Sequence, residues 1–293
     1  MTPNLDTIIL GHNQFFGVAH LSSEKGAQRD QYFSDVKNVI RMIEFSQSLG
    51  VSGLMMSTHP RAEAICDLIK KSKLRDEISI YPLLPYIAKY VRQANEKGLT
   101  NMVMDALSGA SAMQKIGMML KGGAGLLTKD VFKMMEILIE LELLLFKGLK
   151  MRAIFLHQAL TDLALGLDLK DVFLFYHEFI PKKFGAEAAY CTFNTPMLLE
   201  KFKVYGIENP IVMAPFNKAG FQMTRTLPEN EKCLRENDLR LVAMSSLAGG
   251  YLKPREAYEY LFSNPKIESV VVGASSEAHA KETFETIRSF KKA

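Results

Sequence analysis

The sequence predicts an α/β fold, a (β/α)8 TIM barrel with a long helical insertion between strands 3 and 4. Three observations carry this reading. Eight short apolar runs alternate with helical stretches along the 293 residues. The runs are nearly continuous in Val, Ile, Leu, Ala and Met, the pattern of parallel strands buried on both faces. The chain is also long enough for eight strand–helix units plus one enlarged connection. A doubly wound open sheet is the competing architecture.

The elements follow in order. Thr7-Ile-Ile-Leu10 reads as the first strand, and a loop leads to a helix over roughly Asp35–Leu49, which Gly50 ends. Gly53-Leu-Met-Met56 is the second strand, a helix runs from about Arg61 to Lys71, and Ile78-Ser-Ile-Tyr81 is the third strand. The stretch from Pro82 to Met151 then breaks the rhythm. Within it Tyr86–Asn95 reads as a helix, and Asn101–Leu107 suits either a strand or a helix. Ser108–Lys129 is rich in Gly, Ala and Met around Gly122-Gly-Ala-Gly125. Such a composition suits a lid over the barrel mouth or a small helical subdomain on its rim. The expectation is one domain, residues 1–293, with an insertion over about 86–150. Val131–Phe146 is the most apolar stretch, but Lys129, Lys133, Glu136, Glu140 and Lys147 form one stripe, which makes it an amphipathic helix and not a membrane span. Glu142 lies on the opposite face, either as a buried carboxylate or, the preferred reading, at a helix boundary. The remaining strands are Arg152-Ala-Ile-Phe-Leu156, Ala188-Ala-Tyr-Cys191, Ile211-Val-Met-Ala214, Leu241-Val-Ala-Met244 and Ser269-Val-Val-Val272, with a last helix from Glu277.

Composition narrows the function. Hydrophobic residues make up 48% and charged residues 23%, and the net charge of +4 is spread without Lys/Arg runs or basic–aromatic interleaving, which argues against a nucleic-acid partner. Cys66, Cys191 and Cys233 show neither zinc nor disulfide spacing, so a reducing cytoplasm is expected. The first residues lack a basic and an apolar region of signal-peptide type. The expected partner is therefore a small molecule, and the sequence carries no reading of oligomeric state.

In such barrels chemistry gathers at the C-terminal ends of the strands. Those positions hold His12, Asn13 and Gln14 after the first strand, Ser57, Thr58 and His59 after the second, and His157 and Gln158 after the fourth. Thr192 and Asn194 follow the fifth, Asn217 and Lys218 the sixth, Ser245 and Ser246 the seventh. Half of the 6 histidines thus converge on one end. They suit general acid/base work or substrate contact, since imidazole titrates near neutrality. Three imidazoles also suit a divalent metal, although no His-x-His pair or strand-end carboxylate supports that. Lys218 suits a Schiff base or an anion contact. Asn194 and Asn217 suit the orientation of a carbonyl or amide, or simply the start of a loop. His20, His177 and His279 fall in a loop or on helices.

Two turns near the end of the chain, Ser245-Ser-Leu-Ala-Gly-Gly250 and Gly273-Ala-Ser-Ser276, join strands directly to helical segments. Gly permits close backbone approach, and a helix N-terminus offers unpaired N–H groups, so the pair suits a phosphate or pyrophosphate. The plainer reading is that they shape tight connections and cap a helix.

Leu241-Val-Ala-Met-Ser-Ser-Leu-Ala-Gly-Gly-Tyr-Leu252 resembles the strand-seven segment of the aldo-keto reductase superfamily, and Ser269-Val-Val-Val-Gly-Ala-Ser-Ser-Glu-Ala-His279 is similar to its strand-eight segment. The resemblance implies a barrel binding NAD(P), with Ser245, Leu247 and Gly249 on the pyrophosphate and Gly273, Ser275, Ser276 and His279 toward the adenosine end, near Glu282. Phe155-Leu-His157 is similar to the family's Leu-x-His, whose His is catalytic, and Thr192-Phe-Asn194 stands where the family has Ser-Asn on the nicotinamide carboxamide. The departures are equally specific. Leu54-Met-Met-Ser-Thr-His-Pro60 lacks the family's Asp and Tyr, Ile80-Tyr-Pro-Leu-Leu-Pro85 lacks its Lys, and no basic side chain for a 2′-phosphate follows Ser276.

The leading expectation is an NAD(P)-dependent oxidoreductase in which His59 or His157 replaces the tyrosine, with His12 the third catalytic candidate and Asn13, Asn217 and Lys218 toward substrate. The alternatives are a lyase, isomerase or hydrolase of a phosphorylated small molecule, working through His acid/base chemistry or a metal, and a ligand-binding barrel without catalysis.

Overall fold

Eight parallel strands pair in chain order and close on themselves, β1 (Ile8–Gly11), β2 (Gly53–Ser57), β3 (Ser79–Leu84), β4 (Ala153–Leu156), β5 (Glu187–Cys191), β6 (Ile211–Pro215), β7 (Arg240–Met244) and β8 (Ile267–Gly273). The computed structural model describes residues 5–18, 23–86 and 131–290. Helices Val36–Ser48, Ala62–Lys70, Val131–Leu143, Gln158–Gly166, Lys170–Phe184, Thr195–Tyr205, Leu227–Glu236, Pro254–Phe262 and Glu277–Phe290 surround the strands. The architecture is the (β/α)8 barrel read from the sequence. His20, Asn101–Leu107, Ser108–Lys129 and all but the first residue of Tyr86–Asn95 lie outside the described residues.

Alternation along each strand separates two cores. Ile9, Met55, Tyr81, Phe155, Met213 and Val242 point into the lumen and pack on one another. Their neighbours Leu10, Leu54, Ile80, Ile154, Val212 and Leu241 face outward into the helix layer. Both faces are dry, which explains why these strands read as unbroken apolar runs. The seam closes through the pairs Ile9↔Val271 and Leu10↔Val272.

Boundaries shift where local chemistry misleads. The third strand was expected to stop at Tyr81, yet it runs through Pro82 to Leu84. Proline removes a ladder donor, and the β3–β4 ladder adjusts there: Ile80 bridges Met151, but Leu83 pairs with Phe155, so the β4 side carries one extra residue.

At the N-terminal end the barrel is closed by polar side chains. Asp6 accepts from Ser52 Oγ and Tyr81 Oη, each at 2.5 Å, and its own N–H donates to Tyr81 Oη at 2.9 Å. Arg240 donates to Glu187 at 2.6 Å and to Glu268 at 2.8 and 3.1 Å. Among the described residues no helix is long and apolar enough to cross a membrane.

Candidate functional site

The three strand-end histidines come together at the C-terminal mouth. His12 follows β1 and is buried. His59 and His157 lie within electrostatic reach of it, and the backbone of Met55 hydrogen-bonds its ring. Burial is the main reason that its pKa falls from 6.5 to about 4, with repulsion from the other two rings adding to the effect. Burial also lowers the pKa of His157.

Local backbone decides the tautomers. His157 caps the helix Gln158–Gly166, and its Nδ1 accepts the Ala159 N–H at 3.2 Å. The His59 Nδ1 accepts the Arg61 N–H, also at 3.2 Å. An accepting Nδ1 leaves the proton of the neutral ring on Nε2. Imidazoles held this way donate hydrogen bonds at neutral pH, so the structure changes the sequence expectation of groups titrating near neutrality: His12 and His157 stay uncharged there. Among the described residues no group of three His, Cys, Asp or Glu is placed to hold a metal.

Aromatic rings frame the cluster. Phe16 stacks on His59 at 4.1 Å between centroids, and Tyr86, just past β3, meets the same ring edge-on at 5.4 Å. Glu142 supports this arrangement from outside the barrel. It is buried in the last turn of Val131–Leu143, so both sequence readings of it hold in part. Its carboxylate accepts from Thr58 Oγ1 and from the Tyr86 N–H, the latter at 3.3 Å, and so ties the exits of β2 and β3 together. Arg61 steadies the β1 loop by donating to the Phe15 carbonyl at 3.1 Å and to Asp30 at 2.6 Å. Asn13 opens the short 3-10 turn of that loop, Asn13–Phe16, and its carbonyl accepts the Val18 N–H at 2.9 Å.

Sequence reasoning missed Phe16, Tyr86, Arg61 and Asp162. Asp162 accepts from the Thr192 hydroxyl and from the Phe193 N–H at 3.1 Å, fixing the loop after β5. Burial raises its pKa. The early signal was their place: Tyr86 stands two residues beyond β3, Arg61 and Phe16 four and five beyond β2 and β1, and Asp162 one turn into the helix after β4.

Several predicted contacts have local roles. The Asn194 Oδ1 accepts the Met197 N–H at 3.3 Å and caps the helix Thr195–Tyr205. The buried Asn217 amide is committed to Phe221, donating to its carbonyl and accepting its N–H at 2.9 Å each. Lys218 lies on the surface and pairs with Glu256 at 2.9 Å, where an amine stays solvated. The plainer reading of each describes what these side chains do here.

The two turns sit side by side at the mouth. In the first, Ser245, Ala248, Gly249 and Gly250 have φ of 54°, 48°, 71° and 96°. Such backbone is strained for the two residues that carry a Cβ. Open space surrounds the Cα of Gly250. Ser245 Oγ donates to Gln222 at 2.9 Å, and Ser246 Oγ to Tyr258 at 3.3 Å. Leu247 packs on Ala248, Leu252 and Ala257, anchoring the turn to the helix Pro254–Phe262. In the second, Ser276 Oγ accepts the His279 N–H at 3.3 Å and caps Glu277–Phe290, with Ser275 half-buried and His279 exposed beside it. Gln14 lies over Gly273, where a Cβ would come within 3.0 Å of its Cγ and Nε2.

No protein-family model and no curated protein matches the chain. Solved structures share its fold. A candidate aldo-keto reductase from Pseudomonas aeruginosa superposes with a TM-score of 0.60 at 13% identity, over 97% of this chain and 90% of that one. An aldo-keto reductase from Brucella melitensis gives 0.52 at 11% identity over 99% and 98%. One from Bacillus halodurans, in its holo form, gives 0.51 at 10% over 86% and 82%. The protein therefore shares the (β/α)8 barrel fold of these structures.

Proposed function

We propose that this protein is an NAD(P)-dependent oxidoreductase of small carbonyl compounds in which neutral imidazoles do the work of a phenol. The observation that carries the reading is the convergence of His12, His59 and His157 at the barrel mouth beside the turns after β7 and β8. His59 and His157 would donate from Nε2 to the substrate oxygen and stabilise negative charge developing there. A ring whose proton affinity is lowered by burial remains neutral at pH 7 and keeps that donor in place.

The residues present fit a dinucleotide at the first turn. The left-handed backbone of Gly249 and Gly250 leaves main chain open to a ligand, and Leu247 and Ser246 hold the turn to the helix behind it. Bound there, the cofactor would supply the hydride. Ser275, Ser276 and His279 would meet the adenosine end. Directly after Ser276, Glu277-Ala-His279 holds no Lys or Arg to grip a 2′-phosphate, and Lys281 further along the helix pairs with Glu285, so NADH should bind at least as tightly as NADPH. Titration of the purified protein with each cofactor, read by nicotinamide fluorescence, tests this. No binding at millimolar cofactor would remove the reading.

A further inference from the structure

Helices Val36–Ser48 and Ala62–Lys70 pack side by side on the outside of the barrel. Their inward faces are apolar and closed, with Val39, Met42 and Ile43 on the first and Ile65, Cys66 and Ile69 on the second. Amphipathic packing leaves the outward faces to polar side chains. Two aliphatic side chains depart from that pattern. Ile40 is half-buried and Leu68 is 39% exposed, and both line a cavity of about 400 Å³ between the helices. Lys37, Arg41, Lys71 and Ser72 complete the lining, so three cations and no carboxylate share it with the aliphatic pair. The volume is that of a small-molecule site.

The neighbouring acids do not neutralise these cations. Asp35 accepts the Lys37 N–H at 2.9 Å as a helix cap, and Asp67 pairs with Lys70 at 3.6 Å. Glu44, one turn beyond Arg41, lies outside the lining. Among the described residues Lys37, Arg41 and Lys71 have no ion-pair partner. Lys37 and Arg41 stand one turn apart on the same helix face, a spacing at which like charges repel. An anion between them relieves that repulsion, and a dianion does so most. The Ser72 hydroxyl is already used, donating to the Ile69 carbonyl at 3.0 Å and accepting the Leu74 N–H at 3.3 Å, so recognition falls to the cations. We propose that this cavity binds a phosphomonoester with a short apolar body, taken from solution as a single molecule. Lys37, Arg41 and Lys71 meet the phosphate, and Ile40 and Leu68 meet the body. The planar fork of Arg41 matches phosphate oxygens, and the aliphatic pair gains by leaving water. None of these residues follows a barrel strand, so the inference does not rest on the function proposed above.

Calorimetric titration of the full chain with hexyl phosphate, inorganic phosphate and 1-hexanol tests this. Hexyl phosphate should bind at least about tenfold more tightly than either fragment, because each fragment meets only part of the lining. Excess NADH should leave that affinity unchanged, which separates the cavity from the barrel mouth. Arg41→Gln should weaken hexyl phosphate about tenfold without lowering the melting temperature, since it removes a repelling charge. Leu68→Ser should weaken hexyl phosphate and leave inorganic phosphate as it was. Should either variant melt early, Lys37→Gln takes its place and is read as Arg41→Gln is. No binding of hexyl phosphate, equal binding of inorganic phosphate, displacement by NADH, or full affinity in either variant would each overturn the proposal. So would binding to phosphatidylcholine vesicles containing phosphatidate by a protein that ignores hexyl phosphate, which would assign the cations to a membrane surface.

Discussion

The two ends of the barrel are built from different polar groups. At the N-terminal end Asp6, Ser52 and Tyr81 satisfy one another, and Arg240 holds two carboxylates while Ser269 Oγ closes on the Asp6 carbonyl at 2.7 Å. Glu187 Oε1 is nevertheless left unmet there, as are His12 Nδ1 and Gln14 Oε1 at the C-terminal end, where two non-glycine residues of one turn also carry positive φ. The strands are common to both ends, so their chemistry cannot explain the contrast. One end closes the cylinder with ion pairs and side-chain hydrogen bonds, whereas the other gathers three imidazoles beside a turn with positive φ at non-glycine residues.

The largest effect should come from breaking the satisfied end. Arg240→Met leaves Glu187 and Glu268 without their cation and should cost about 4 kcal/mol in urea denaturation. NADH affinity should be unaffected. A loss below about 1 kcal/mol would mean that this end contributes no more to stability than an ordinary surface.

The mouth should show itself through pH. The folded His12 has a pKa of about 4 against 6.5 for a free ring, so between those values the unfolded chain takes up a proton that the native protein refuses. Stability conferred by the neutral ring is complete above pH 6.5 and falls as pH drops toward 4, by about 3 kcal/mol in all. Urea midpoints across that window should fall more steeply for the native protein than for His12→Asn. Equal slopes would place His12 in a wetter site than its burial indicates.

Two smaller effects sharpen the boundary of the mouth. Asp162→Ala leaves the buried Thr192 hydroxyl and the Phe193 N–H without their acceptor and should cost about 2 kcal/mol. Lys218→Ala breaks a pair exposed by about half on both sides and should change stability by less than about 0.5 kcal/mol. A larger change would give that lysine a role beyond the surface pair with Glu256.

Much of this was legible in advance for one physical reason. Parallel strands buried on both faces must be apolar throughout, so all eight could be read, with errors confined to ends such as Tyr81–Leu84. His12, His59 and His157 could be read because the barrel topology turns a place in sequence into a place in space. The fates of Asn194, Asn217 and Lys218 could not, since capping a helix, stapling a loop or pairing on the surface depends on which neighbour arrives. Glu142 shows the limit from the other side. Its position opposite the charged stripe hinted at burial, but nothing in the sequence said that Thr58 and Tyr86 would meet it.

By itself the sequence determined the strand rhythm, the closed barrel and which residues stand at its mouth, because periodicity and burial are encoded locally. Only the tertiary structure decided their chemical state. Desolvation holds His12 and His157 neutral, backbone N–H groups turn His59 and His157 into Nε2 donors, and the packing of the β1 loop against β2 and β8 leaves two acceptors without donors. Each depends on the distance to atoms far away along the chain, and that distance exists only after folding.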